Sequence, residues 1–183
     1  PPPPPADTRP SAKDRRQADE KRDLQRIAGF DLTVIPGVGY DTAAVVLSEL
    51  GADLSRFPTE RHFASYIGLA PSLGKSAGKN VRQRKRCRNT SRAGRALRMA
   101  ASTLYKSRTE LGAFFRSVAR RTDRKTAVKA TARRMAHMIY RGIRYGVAYF
   151  DKGAEAFEAR AREKAVRAVK NLIKTHGMKE MEL

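Results

Sequence analysis

Apolar residues recur every three or four positions through the second half of the chain, and this spacing constrains the fold more than any other feature. In a segment from about 92 to 107 they are Ala93, Leu97, Ala100 and Leu104. In a segment from about 126 to 150 they are Val128, Ala132, Met135, Ile139, Ile143, Gly146 and Phe150. Because a period of 3.6 residues places such positions on one side of an α-helix, both segments are predicted to be amphipathic helices. The expected fold is therefore mainly α, a compact helical unit.

Residues that favour helix ends predict where further helices begin and stop. Ser91 should cap the first amphipathic segment, and Thr109 should start a helix that continues to about 121. Pro58 and Thr59 should start a short helix that ends at Gly68. These signals lie between the two amphipathic segments or just before them, and they are consistent with a helical domain.

Charged or proline-rich segments flank this unit on both sides. Residues 1–10 are predicted to be a stiff, proline-rich linker. Residues 11–29 are expected to form a charged helix that Ser11 caps and Gly29 ends. A last charged helix is expected within 153–183, from about 154 to 175. The main domain is therefore placed at residues 30–152.

Two closely spaced glycines lie in residues 32–51, whose sequence has the pattern of a helix-hairpin-helix. Gly37 and Gly39 carry no side chain, so their backbone N–H groups can approach a phosphate closely without reading bases. Asp41 is expected to cap the following helix, which should end at Gly51. A tight turn between two core helices is the alternative interpretation.

Positive charge is concentrated in the middle of the sequence. The chain has 39 Lys and Arg against 18 Asp and Glu, a net charge of +21, and residues 61–109 contain no acidic residue. A solvated surface normally mixes both signs, whereas neutralising phosphates with release of counterions requires one sign. The distribution favours nucleic acid as the partner; a merely soluble basic surface or a localisation signal is the alternative.

The basic residues centre on a predicted loop over 69–91, in which a short β-ribbon is expected around Val81 to Cys87. Together with Gly37 and Gly39, the candidate nucleic-acid contacts are Lys75, Lys79, Arg82, Arg84, Lys85, Arg86, Arg88, Arg92 and Arg95.

Ser76 lies in this loop within the sequence GKSAGK, between two lysines. Those lysines can stabilise negative charge on a reacting phosphate. A serine hydroxyl is a weak nucleophile without a base or a metal, and the surrounding segment offers no carboxylate, only His62 nearby. Spacing alone therefore favours phosphate binding over catalysis, and any activator of Ser76 must come from elsewhere.

Several classes of protein are excluded by what the sequence lacks. No window approaches eighteen uninterrupted apolar residues, so no transmembrane helix and no membrane partner are expected. A single cysteine, Cys87, excludes an internal disulfide and a cysteine-based zinc site. No secretory signal opens the chain, so a cytoplasmic, nucleoid-associated protein is expected.

Six blocks of sequence occur in a specific order between about residues 32 and 150. They are Ile35–Ala43, Leu47–Gly51, Ser55–Phe57, Phe63–Pro71, Ser76–Lys79 and Arg95–Ala101. In this order they resemble the C-terminal transposase domain of the IS110/IS1111 family of insertion-sequence recombinases. The ordered set is far more specific than any one motif.

This resemblance implies an enzyme that excises and inserts a mobile element by DNA strand exchange. Ser76 matches the family's catalytic serine, which is thought to attack a DNA phosphodiester and form a covalent phosphoserine link. The family has Ser-Gly where Ala77 intervenes here, so Ser72 is the alternative nucleophile. Implied partners are double-stranded DNA of the element ends and the target, a non-coding guide RNA, and further copies of the chain in dimers and tetramers.

The resemblance also implies a second, N-terminal RuvC-like domain with four acidic metal ligands. Mg²⁺ is expected there and no metal site is expected in this chain. Alone, the chain should bind nucleic acid without cutting it. A non-catalytic helix-hairpin-helix module for DNA or RNA is the alternative function, and an RNA-binding scaffold is a third.

The remaining polar clusters are interpreted as structural. The three histidines have no metal-ligand spacing; they are His62, His137 and His176. A nearby set on one predicted helix resembles the arginines and tyrosine of tyrosine recombinases, but core and backbone contacts are the preferred interpretation; the set is His137, Arg141, Arg144 and Tyr145. Met135 and Met138 are expected in the core.

Overall fold

The computed structural model describes residues 11–71, 73–76, 79–82, 91–146 and 152–176. Within these residues the chain forms seven α-helices and one antiparallel pair of strands. The helices are α1 Ala12–Ala28, α2 Tyr40–Leu50, α3 Glu60–Tyr66, α4 Arg92–Thr103, α5 Glu110–Arg121, α6 Arg124–Tyr145 and α7 Gly153–His176. The strands are β1 Leu73–Ser76 and β2 Lys79–Arg82. The predicted mainly α fold is confirmed.

Helix α6 lies at the centre of the core and packs against α3, α4 and α5. Helix α2 packs on α4, α1 packs on α2, and α7 packs on α5. Both predicted apolar stripes face this core in the helices. The fully buried members of the two stripes include Leu97, Ala132, Met135 and Ile139. The hydrophobic spacing therefore predicted the central layer correctly.

Three predicted helix caps are confirmed in atomic detail. The side-chain oxygens of Thr59, Ser91 and Thr109 each accept a hydrogen bond from the backbone N–H group three residues further on. Each bond satisfies a backbone donor that the first turn of a helix leaves unpaired, and removing one typically costs about 1 kcal/mol. Gly29 ends α1 in a left-handed conformation with φ of 67°, as expected.

Two predicted helix boundaries are wrong. Helix α2 begins at Tyr40 with Gly39 in the capping position, so Asp41 lies in the first turn instead of capping it. A carboxylate in the first turn still interacts favourably with the helix dipole. This is why an aspartate at this position indicated that a helix begins nearby. Gly146 does not continue the stripe of α6 but ends the helix, with φ of 62°; Phe150 lies outside the described residues.

None of the helices in the described part of the chain is both long enough and apolar enough to span a bilayer.

Candidate nucleic-acid interface

The ribbon of β1 and β2 carries the candidate nucleophile. The two strands are antiparallel, and their register pairs Ser76 with Lys79 and Lys75 with Asn80. Ser76 and the two lysines of its motif are therefore gathered at one end of the ribbon. The ribbon begins earlier in the chain than the predicted position around Val81 to Cys87, most of which lies outside the described residues.

Both ends of the segment that contains the ribbon are fixed to the helical core at one place. Helix α3 ends at Ile67, and Leu69 is buried just before the ribbon. Gly94, in the first turn of α4, lies directly against the backbone carbonyl of Ile67, so that a β-carbon on Gly94 would overlap its oxygen. The chain thus leaves the core and returns to it at the contact between α3 and α4. Sequence reasoning did not identify Gly94, because this packing partner is distant in the chain.

A carboxylate from α2 caps the start of α4. The backbone N–H of Ala93 donates a hydrogen bond to Oε2 of Glu49 at 2.5 Å. A negative charge at a helix N-terminus is favourable, and it offsets the exposed Arg92 and Arg95 in a turn where positive charge is unfavourable. The two candidate arginines therefore lie in the helical turn at which the chain returns to the core. Glu49 was also missed by the sequence analysis.

Gly37 and Gly39 have different roles in the turn before α2. Gly37 has φ of 85°, and a β-carbon there would lie 3.2 Å from both the carbonyl oxygen of Ala100 and a methyl group of Leu104. It therefore permits close packing on α4, as the tight-turn alternative expected. Gly39 faces open space at the start of α2, which has no side-chain cap in the described structure. Backbone N–H groups at such a position can bind a phosphate.

The structure places only part of the predicted contact set. Lys75, Lys79 and Arg82 lie on the ribbon, and Arg92 and Arg95 lie on the exposed side of α4. The other candidates fall outside the described residues; they are Arg84, Lys85, Arg86 and Arg88, together with the alternative nucleophile Ser72 and Cys87.

The polar cluster on α6 is engaged with the rest of the protein. Arg141 donates two hydrogen bonds to Glu60, at 2.6 and 3.1 Å, and Arg144 donates one to the carbonyl oxygen of Leu54 at 3.0 Å. His137 Nδ1 lies 3.4 Å from Glu60. These contacts give His137, Arg141 and Arg144 partners within the protein, as the structural interpretation expects, whereas Tyr145 is exposed.

Burial and charge shift the pKa values of this cluster. The hydrogen bond from Arg141 is the main influence that lowers the pKa of Glu60 below its usual value. Burial lowers the pKa of His137, outweighing the opposite pull of the Glu60 carboxylate. At neutral pH the site therefore holds an ionised carboxylate, a guanidinium and a neutral imidazole.

Within the described ranges, no group of three or more His, Cys, Asp or Glu side chains is arranged to hold a metal ion. The described residues therefore offer no donor set to which Mg²⁺ binding can be assigned.

Comparisons with known proteins find similarity in the middle of the chain. The model of the transposase IS116/IS110/IS902 family matches residues 31–116. A segment of 50 residues is 54% identical to the insertion element IS110 uncharacterized 43.6 kDa protein of Streptomyces coelicolor, and covers 27% of this chain and 12% of that protein. The family match includes the turn before α2, the ribbon and α4, and it confirms the resemblance over these elements.

Proposed function

Because the model of the IS116/IS110/IS902 transposase family matches residues 31–116, we propose that this chain is the DNA-binding, serine-bearing part of a transposase. In this proposal the transposase breaks and rejoins DNA through a covalent phosphoserine intermediate and is guided by a non-coding RNA. The observation that carries the proposal is the backbone pairing of Ser76 with Lys79 on a ribbon within a segment that leaves and re-enters the core at the contact of Ile67 with Gly94. In this proposal Ser76 and Lys79 act on the same phosphate.

The proposed step exchanges one phosphoester bond for another. Ser76 Oγ attacks the phosphorus of a DNA phosphodiester, a bond forms between Oγ and phosphorus, and the bond to one deoxyribose oxygen breaks. The serine proton passes to a base, and the released oxygen takes up a proton and leaves as a hydroxyl. A hydroxyl of a second strand then reverses the step and regenerates Ser76. Lys75 and Lys79 stabilise the charge that develops on the phosphate oxygens.

The segment around Ser76 supplies no carboxylate that could act as the base. Residues 61–109 contain no Asp or Glu. The proposal therefore assigns activation to Mg²⁺ on a separate RuvC-like domain, a role that a divalent metal performs by lowering the pKa of a bound hydroxyl. On this account the chain alone binds DNA and does not cut it.

The binding part of the proposal is tested with a labelled DNA duplex over a series of salt concentrations. The affinity should fall steeply with salt, and Arg92→Ala/Arg95→Ala should reduce the slope of log K against log salt by about 0.9 for each phosphate that the variant no longer neutralises. Lys125→Ala/Lys129→Ala is the matched control, because it removes the same charge from exposed positions on α6. Ser76→Ala should bind within about twofold of wild type. A flat salt response, or an equal effect of both double variants, would contradict the proposal.

A non-catalytic module that grips the nucleic-acid backbone is the second candidate. The open start of α2 at Gly39, with its uncapped N–H groups, favours it. The two candidates differ in the role of Ser76. In the complete enzyme, Ser76→Ala should abolish recombination if Ser76 is the nucleophile, and should leave it unchanged if the chain is only a binding module.

A further inference from the structure

Five aromatic rings form a continuous row from α3 to the end of α6. Their successive centroids are separated by 5.2, 5.4, 5.7 and 6.1 Å in the order Tyr66, Phe57, Phe63, Tyr140 and Tyr145. The three central rings are buried, whereas Tyr66 and Tyr145 at the two ends are 44% and 61% exposed. The Tyr140 hydroxyl donates a hydrogen bond to the carbonyl oxygen of Phe57 at 2.7 Å, which fixes the row. The exposed tyrosines are therefore supported by a rigid core.

A surface depression of about 440 Å³ opens beside the Tyr145 end of this row, and its lining includes Pro58, Thr59, Arg61, Tyr140, Arg141 and Tyr145. This volume lies within the range of sites for small ligands and is sufficient for one nucleotide. One wall is aromatic and another carries arginines, so the depression offers a stacking surface and positive charge together.

The charge in the depression is positive even though Glu60 contributes to its lining. Both oxygens of Glu60 are engaged by Arg141, so that carboxylate is already compensated. Arg141 nevertheless keeps 57% of its side chain exposed, and Arg61 is exposed as well. Arg144 lies 5.9 Å from the ring centres of both Tyr140 and Tyr145. Arginines beside an exposed ring are suited to a phosphate and a base that are neighbours in one strand.

We propose that this depression binds one unpaired nucleotide of a nucleic-acid strand. The base stacks on the exposed Tyr145 ring, and the adjoining phosphate lies between Arg61 and Arg141. A base inside a duplex is stacked on its neighbours and offers no free face, whereas an unpaired base does. The inference goes beyond the proposed function, because it does not depend on Ser76 or on any bond being broken.

The test measures the affinity of the 183-residue chain for labelled single-stranded RNA, single-stranded DNA and a duplex of the same sequence. Tyr145→Ala should weaken binding of at least one single strand by about 5- to 150-fold, because stacking contributes about 1–3 kcal/mol per base. Binding of the duplex should change by less than about twofold. Tyr145→Phe keeps the ring and should retain single-strand affinity. The RNA and DNA arms identify which strand supplies the nucleotide.

Tyr105→Ala is the matched control, since Tyr105 is also about half exposed but packs against Phe115 away from the depression. Arg61→Ala is a second variant that should weaken single-strand binding without removing a ring. The inference is overturned if the wild-type chain binds no single strand, or if Tyr145→Ala acts no more strongly than Tyr105→Ala. It is also overturned if the duplex loses as much affinity as the single strands. If the chain binds single strands as predicted but does not bind the duplex, the proposed function is contradicted and this inference still holds.

Discussion

Thr131 is fully buried in α6, and its hydroxyl has no hydrogen-bond partner in the described part of the structure. Burying a hydroxyl is unfavourable when it loses its hydrogen bonds to water and gains none within the protein. Valine has nearly the same shape and no hydroxyl, so Thr131→Val should raise the free energy of unfolding by about 1 kcal/mol. Urea unfolding measures the change. Thr126→Val, at an exposed position of the same helix, should have little effect, and a loss of stability in Thr131→Val would show that the hydroxyl has a partner.

The protonation of His137 makes the free energy of unfolding depend on pH, and the burial of its ring sets the direction of that dependence. Burial lowers its native pKa, so the unfolded chain takes up a proton first, near the usual value of 6.5. Stability is therefore expected to fall as the pH drops below about 6.5. The native pKa of Glu60 is also lowered, so its protonation adds a further loss of stability as the pH falls below about 4.5.

Chemical unfolding at a series of pH values separates these two contributions. His137→Gln should flatten the profile between about pH 5 and 7, and the fall at lower pH that Glu60 causes should remain. His62→Gln, which makes the same replacement at an exposed histidine, is the control. An unchanged profile in His137→Gln would refute the assignment.

At the scale of elements, a buried carboxylate is one of the contacts that attach α7 to the core. Glu110 of α5 is only 5% exposed and lies 2.7 Å from Arg134 of α6 and 3.1 Å from Arg160 of α7. Phe114 and Phe157 pack edge to face beside this cluster. Three helices therefore meet at a single charge, which fixes how α7 packs on α5.

Glu110→Gln should loosen α7 by removing that charge while keeping the shape of the side chain. The expected loss is about 1–3 kcal/mol, since two charge-assisted hydrogen bonds become neutral ones and both arginines are partly solvated. Thermal unfolding measures the loss, and hydrogen exchange should show faster opening of α7. Glu155→Gln, at an exposed position of α7, is the control. An equal effect of the two variants would contradict this role of Glu110.

The sequence predicted those elements whose signals are local. Ser91 caps a helix by bonding Gly94, three residues away, and the apolar stripes repeat within single helices. The contacts that hold elements together were not predictable in the same way. Glu49 and Ala93 are 44 residues apart, and Glu60 and Arg141 are 81 residues apart. No local pattern indicates that such residues meet, because the packing of whole helices decides it.

At the scale of the whole molecule, the sequence on its own predicts the basic segment but does not predict a role for Ser76. The absence of acidic residues from 61–109 favours a phosphate partner over a merely soluble basic surface. Nothing in charge or spacing singles out Ser76 as a nucleophile; only the resemblance to a transposase family does. The structure adds that Ser76 and Lys79 are register partners on a ribbon within a segment that leaves and re-enters the core at one contact, and this arrangement supports the proposed chemistry.

Covalent capture of the serine tests the central claim most directly. The chain would be combined with the RuvC-like domain, Mg²⁺, guide RNA and labelled element-end DNA, and the products would be separated on a denaturing gel. The account predicts a protein–DNA adduct whose digested peptide carries the nucleotide on Ser76. The adduct should be absent in Ser76→Ala and present in Ser72→Ala. An adduct that persists in Ser76→Ala, or that maps to Ser72 or to a tyrosine, would contradict the account.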